Sequence, residues 1–180
     1  LQAVKDNATH SVFGNGMEFK DGANQTIEYA YDKNGNLTKD LNKKIAVIQY
    51  NLLNLPSQVS FTEGNVIEYE YGADGRKLRT LHMVNNVTST TDYCGNAIYE
   101  NGSLKMLLNE AGYISFPDKK FHFYLKDHQG NIRVVADKDG YVEETNDYYP
   151  FGGLFTASRG VQPYKYNGKE LDRKNGIDWY

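Results

Sequence analysis

Ile27-Glu28-Tyr29-Ala30-Tyr31-Asp32-Lys33-Asn34-Gly35 and Ile67-Glu68-Tyr69-Glu70-Tyr71-Gly72-Ala73-Asp74-Gly75 are two copies of one phrase in the same chain. Between them, Tyr50-Asn51-Leu52-Leu53-Asn54-Leu55 restates the Tyr-led half, which sets a unit of about 20 residues. A period of that length means supersecondary elements stacked side by side. Alternation in the first copy predicts a strand with Ile27, Tyr29 and Tyr31 on one face and Glu28 and Ala30 on the other. The second copy predicts the same for Ile67, Tyr69 and Tyr71 against Glu68 and Glu70. Asp32 through Gly35 then predicts a tight turn, because Asp can hydrogen-bond nearby backbone and Gly accepts a positive φ without a Cβ clash. A return strand from about Leu37 completes a β-hairpin, and a lone hairpin is marginal in water, so neighbours must pair. Tyr31, Asp32, Gly35, Tyr50, Tyr71 and Gly75 are the residues on which this repeat turns.

Composition agrees with an all-β chain. Tyr occurs 15 times and Phe 8, against 3 Met and 1 Trp, and 17 Gly accompany 4 Pro, a mixture that antiparallel sheets and their turns select. With 180 residues and 39% hydrophobic content the chain can bury a core. The net charge is −3 and the Lys and Arg residues are scattered, so no nucleic-acid partner is expected. No apolar run approaches the ~20 residues of a spanning helix, and nothing from Leu1 reads as a signal peptide. Without an initiator Met, the expectation is a piece of a longer polypeptide. The single Cys94 cannot staple the fold and reads as a small residue between Tyr93 and Gly95.

Turn signals recur every 8–12 residues or so, as all-β architecture requires. They include 32–35, 42–44, 54–57, 63–65, 73–75, 85–86, 94–96, 101–102, 109–112, 117–119, 127–131 and 137–140. Strands are predicted at 45–50, 66–71, 77–83, 104–108, 113–116, 121–125, 132–136 and 141–145, and no window sustains a helical period. Residues 1–26 fit poorly, with Val12-Phe13 and Met17–Phe19 as their apolar material, and are expected to form an irregular edge or leading hairpin. No linker divides the remainder. The predicted fold is an antiparallel β-hairpin array forming a curved, open sheet.

Tyr124-Leu125-Lys126-Asp127-His128-Gln129-Gly130-Asn131-Ile132-Arg133 resembles the Asp-His-x-Gly-x-x-Arg segment of the Rhs/YD-repeat proteins, within their repeat-associated core domain. Asp137 to Val142, with Gly140, resembles the family's Asp-x-x-Gly-x-Val turn. Tyr148-Tyr149-Pro150-Phe151-Gly152 and Tyr166-Asn167-Gly168-Lys169-Glu170-Leu171-Asp172 follow in the family's order, in the form of its Bacteroidetes-like members. Upstream, Tyr31-Asp32 with Gly35 matches the repeat signature. The resemblance implies YD-type hairpins over 27–100 and part of the core domain over 101–180. It also implies a section of a hollow shell that encloses a C-terminal effector, on a secreted or cell-surface bacterial protein. The partners it implies are that effector or the rest of the parent polypeptide. In many members the core domain releases the effector with aspartate carboxylates near an Asp-Pro motif, a segment expected beyond Asp178-Trp179-Tyr180.

Weighed as chemistry, the residues favour structure. Asp127 and His128 are adjacent in an extended segment and point apart, so Asp127 reads as a turn residue and His128 as a half-buried ring on an aromatic face. Asp172 and Asp178 are the weak candidates for a carboxylate pair sharing one proton, yet both stand in turn-like contexts beside Arg173 and Lys174. His10, His82, His122 and His128 have no metal-ligand spacing, and Asp32-x-Asn34-Gly35-Asn36 lacks the carboxylates of a calcium loop. No metal or cofactor is expected. Exposed Tyr faces leave glycan binding as an alternative function, and a truncated autoprotease core as another. The primary expectation is a non-enzymatic shell segment whose free edges can self-associate.

Overall fold

The computed structural model describes residues 1–7, 19–155 and 160–180. Val12, Phe13 and Met17, expected as apolar material of a leading edge, lie outside the described residues. Among the described residues, thirteen strands form one open antiparallel sheet in which strand order follows sequence order. They are β1 (Tyr29–Tyr31), β2 (Leu37–Asp40), β3 (Ile45–Tyr50), β4 (Pro56–Phe61), β5 (Val66–Tyr71), β6 (Lys77–Val84) and β7 (Val87–Cys94). β8 (Ala97–Glu100), β9 (Ser103–Asn109), β10 (Gly112–Ser115), β11 (Phe121–Lys126), β12 (Ile132–Asp137) and β13 (Val142–Thr145) complete it. β4, β7 and β8 have no counterpart in the predicted strands, and the turn expected at 54–57 falls instead at 51–55, with β4 starting at Pro56.

One compact unit holds residues 1–7, 19–94 and 99–103. Its core is a cross-strand row: Ile48 opposes Val59, Val59 opposes Ile67, and Ile67 opposes His82, all of them buried. Burying each of the aliphatic members contributes about 1.5–3 kcal/mol. Ile45 and Ile48 are both buried although three positions apart, because a register shift between Ile45 and Val47 resets the alternation.

The first phrase differs from the alternation the sequence predicts. Ile27 is 56% exposed while Glu28 is 0% exposed, and the strand begins only at Tyr29. The reason is the chain's own beginning: Gln2 O accepts from the amides of Glu28 and Tyr29, and the Glu28 carboxylate accepts from Val4 N at 3.0 Å, Gln25 N at 3.2 Å and Asn42 Nδ2 at 3.0 Å. Those donors, Val4 first, hold the Glu28 carboxyl below its ordinary range. In the second copy Ile67 and Tyr69 are buried and Glu70 is exposed, as alternation requires.

Both copies end in one loop. Tyr31 faces Leu37, Tyr50 faces Pro56 and Tyr71 faces Lys77, each with a register shift immediately before the Tyr. In the first loop Asp32 Oδ1 accepts from Asn34 N at 2.8 Å and Asn36 N at 2.9 Å, while Gly35 N donates to Asp32 O. Asn51 does the same for Leu53 N and Leu55 N. At the third loop position 1 is Gly72, and Asp74 supplies the carboxylate to Arg76 N at 3.1 Å. The fourth residue of each loop, Gly35, Asn54 or Gly75, has φ between 62° and 85°. The Asn36 and Asn54 side chains exchange hydrogen bonds of 2.6 and 3.1 Å, which ties loops one repeat apart.

The second unit holds residues 95–98, 104–155 and 160–180. β9 to β13 carry buried Met106, Tyr113, Ile132 and Val135, and a mostly irregular segment after β13 buries Leu154, Leu171 and Ile177. Single 3-10 turns at Pro150–Gly152, Tyr166–Gly168 and Lys174–Gly176 are its helical elements.

Candidate functional site

The motif-bearing residues of the second unit converge. Asp127 opens a loop built like that at Asp32: Oδ1 accepts from Gln129 N at 2.9 Å and Asn131 N at 3.1 Å, and Oδ2 from Asn131 Nδ2 at 2.8 Å. Burial opposes its ionisation, yet these donors keep its pKa below the usual carboxylate value. Asp137 repeats the loop with Asp139 N and Tyr141 N, each at 2.9 Å. Gly130 (φ 81°) and Gly140 (φ 84°) stand where Gly35 stands in the first repeat.

The Asp127 loop docks on the turn at Tyr166–Gly168. Asn131 Oδ1 accepts from Asn167 N at 2.8 Å, and Ile132 N donates to Lys165 O at 3.2 Å. Arg133 ion-pairs with Asp147, and its guanidinium carbon lies 5.8 Å from the Tyr148 ring centre. Tyr148 meets Tyr166 edge-on at 5.7 Å. A Cβ on Gly152 would come within 2.8 Å of the Tyr166 ring, so only Gly lets the Tyr-Pro-Phe-Gly turn sit there, while Phe151 is 94% exposed. Tyr180 Oη closes the cluster by donating to Gly152 O at 2.8 Å. Glu170 pairs through its backbone with Tyr164.

Below this lies a network that sequence reasoning missed. Glu144, whose side chain is 0% exposed, ion-pairs with Lys165, which is 4% exposed. It also accepts from Asn146 Nδ2 at 2.7 Å, Val161 N at 2.8 Å and Gln162 Nε2 at 3.3 Å, and Lys165 Nζ donates to Gln162 O at 2.7 Å. Burial lowers the Lys165 pKa, with Glu144 pulling the other way. Tyr113, Tyr124, Tyr148 and Tyr164 all have phenol pKa values pushed up, in each case first by burial.

A second missed group lies on the same strands. His122 is buried, stacks on Tyr113 with ring centres 4.3 Å apart and 10° between planes, and has Ser115 Oγ 3.0 Å from Nε2 and Glu143 Oε2 2.5 Å from Nδ1. Ser115 Oγ also donates to Asp118 at 2.8 Å. A bulge makes this possible: Val135 pairs with Glu144 but Ala136 pairs with Val142, so Glu143 is the extra residue.

His128, expected half-buried on an aromatic face, is exposed, because the second position of the loop points to solvent. The histidine on an aromatic face is His122. Asp172 and Asp178 take separate partners: Asp172 Oδ1 accepts from Lys174 N at 3.0 Å, and Asp178 pairs with Arg173 Nε at 3.2 Å. The Asp172 and Trp179 backbones form a two-way bridge with hydrogen bonds of 2.7 and 3.0 Å. Among the described residues, no group of three or more His, Cys, Asp or Glu is placed to hold a metal ion.

The fold and its loops define an antiparallel β-hairpin array in which one capped turn is reiterated. The chain shares the fold of a segment of the TcdB2–TccC3 complex, at TM-score 0.59 and 19% identity over 74% of this chain and 8% of that one. It matches a mutant Tc holotoxin pore of Photorhabdus luminescens at TM-score 0.59 and 17% identity, covering 84% of this chain and 11% of that one. Salivary gland surface protein 1 of Aedes aegypti is 27% identical over 97% of the chain, which spans 6% of that protein. The chain therefore corresponds to a small part of each relative. No protein-family profile matches it.

Proposed function

We propose that the chain is a section of a shell wall, with YD-type hairpins over 27–100, part of an Rhs core domain over 101–180, and residues 1–26 along its leading edge. Its work is containment. Strand-to-strand pairing satisfies backbone amides and carbonyls along the wall, which separates an enclosed C-terminal effector from its surroundings. The observation that carries this reading is the reiterated loop, in which Asp32, Asn51, Asp127 and Asp137 cap the same five-residue turn between successive strands. The fold shared with the Tc toxin structures supports it. A secreted or surface location is supported by relatives described as a surface protein and a holotoxin.

Self-cleavage through Asp172 and Asp178 receives no support from the geometry, since each carboxylate is engaged by its own turn. Glycan binding is disfavoured by the tyrosines that make up the packing. Limited proteolysis of the parent polypeptide tests the proposal: the segment following Tyr180 resists protease until the shell is unfolded. Digestion of that segment at the rate of the free peptide would overturn it.

A further inference from the structure

We propose that Ser115 is an activated nucleophile, acylated by small activated esters, with His122 as its general base and Glu143 as the residue that positions the base. Nucleophile to base is 3.0 Å and base to carboxylate is 2.5 Å, the two contacts a serine nucleophile requires. The imidazole has one plane available to it, because it is buried and stacked on Tyr113. Nδ1–H donated to Glu143 leaves Nε2 as the acceptor facing Oγ. Ser115 itself is only half-buried, at the end of β10, so a small ester can reach Oγ.

Asp118 tunes the reactivity. At rest the Ser115 hydroxyl donates its hydrogen bond to Asp118, and rotation about the Cβ–Oγ bond turns the O–H toward Nε2. Oγ then attacks the ester carbonyl carbon, its proton passes to Nε2, the bond from that carbon to the leaving oxygen breaks, and the leaving phenolate departs as the acyl-serine forms. Ser115 N donates to Lys120 O and Phe116 N to Lys105 O, so neither amide can hold an oxyanion. The expected chemistry is therefore one slow, stoichiometric acylation without rapid turnover.

Reaction of the whole chain with p-nitrophenyl acetate, followed by peptide mass spectrometry, tests this. Ser115 is expected to be acetylated ahead of the exposed Ser103, with about one equivalent of p-nitrophenolate released in the fast phase. Ser115→Ala abolishes that phase, and His122→Asn slows it by about 10²-fold, the usual contribution of a general base. Asp118→Asn accelerates it by replacing the competing carboxylate with a weaker, uncharged amide acceptor. Glu143→Gln slows it and Glu143→Asp recovers part of the rate, a rescue that a merely structural glutamate would not give. Circular dichroism of each variant separates loss of fold from loss of chemistry, and the Asp118 variant keeps the test open if His122→Asn fails to fold. Acetylation at Ser115 no faster than at Ser103, an unchanged rate in folded His122→Asn, or a slower rate in folded Asp118→Asn overturns the proposal.

Discussion

Replacing Glu144 by Gln should destabilise the second unit more than replacing Lys165 by Met, although the two residues form one ion pair. After Lys165→Met, the carboxylate keeps three donors, Asn146 Nδ2, Val161 N and Gln162 Nε2. After Glu144→Gln, the ammonium keeps the Gln162 carbonyl oxygen as an acceptor, at a site where the lysine side chain is 4% exposed. Breaking a buried pair costs about 3–5 kcal/mol. We place Glu144→Gln at about 4–5 kcal/mol and Lys165→Met at about 2–3 kcal/mol, the difference being about one charge-assisted hydrogen bond. Urea unfolding at pH 7, monitored by tyrosine fluorescence, measures both. The pH dependence sharpens the test. Lys165 already has its folded pKa below its unfolded value, and losing Glu144 lowers it further. Between the folded and unfolded values the unfolded chain binds more protons, so stability rises with pH in that window. The deficit of Glu144→Gln should therefore shrink as pH rises toward the ordinary lysine range, whereas that of Lys165→Met, which removes the titrating group, should not shrink. Equal costs for the two variants, or a Glu144→Gln deficit that grows with pH, would refute the reasoning.

Gly112→Ala should be severe: its Cβ would lie 1.9 Å from His122 O and 2.9 Å from Phe123 Cα, both backbone, so β10 and β11 must part at a loss of about 3 kcal/mol or more, read by thermal unfolding. Asp127→Ala removes three acceptor contacts from its loop and should cost about 1–2 kcal/mol in urea unfolding. Gly72→Asn installs the side chain that caps the loop at Asn51, where the nearest obstacle is the movable Asp74 carboxylate at 2.7 Å, and should stabilise by about 0.5–1 kcal/mol; a loss of stability would count against the shared loop geometry. Alkaline titration should unfold the chain above about pH 10: with folded pKa values raised, Tyr113 and Tyr124 contribute fully below the unfolded value of about 10, and each loses about 1.4 kcal/mol per pH unit above it. A midpoint insensitive to Tyr124→Phe would argue against that cause.

The hairpins were readable because their two signals are local. Alternation sets the strand, and an Asp or Asn followed by Gly or Asn three residues later sets the loop, so 45–50 and 66–71 are strands to the residue. β4 escapes because Pro56 opens it, a position where the missing donor is tolerated but which reads as a turn. β7, Val87-Thr-Ser-Thr-Thr-Asp-Tyr-Cys94, buries none of its residues fully and therefore offers no alternation to read; its threonines were the available signal. Glu28 inverts the first phrase because its partners, Val4 and Asn42, are distant in sequence.

The side-chain networks were illegible for one physical reason. Period-two reading assigns consecutive residues to opposite faces, so Glu143 and Glu144 cannot both serve one side of an unbroken strand. The bulge opposite Val135 and Ala136 removes that restriction, and it is a property of the pairing with β12, not of the five residues around it. From that single irregularity Glu144 reaches Lys165 and Glu143 reaches His122, joining positions 21 residues apart in both cases. The same logic explains the exchange of histidines. His128 sits in the most recognisable motif of the chain and faces solvent, whereas His122, in an unremarkable run of alternating Phe and polar residues, is placed by Tyr113 on the neighbouring strand. Motif spacing locates loops here, and cross-strand register locates chemistry.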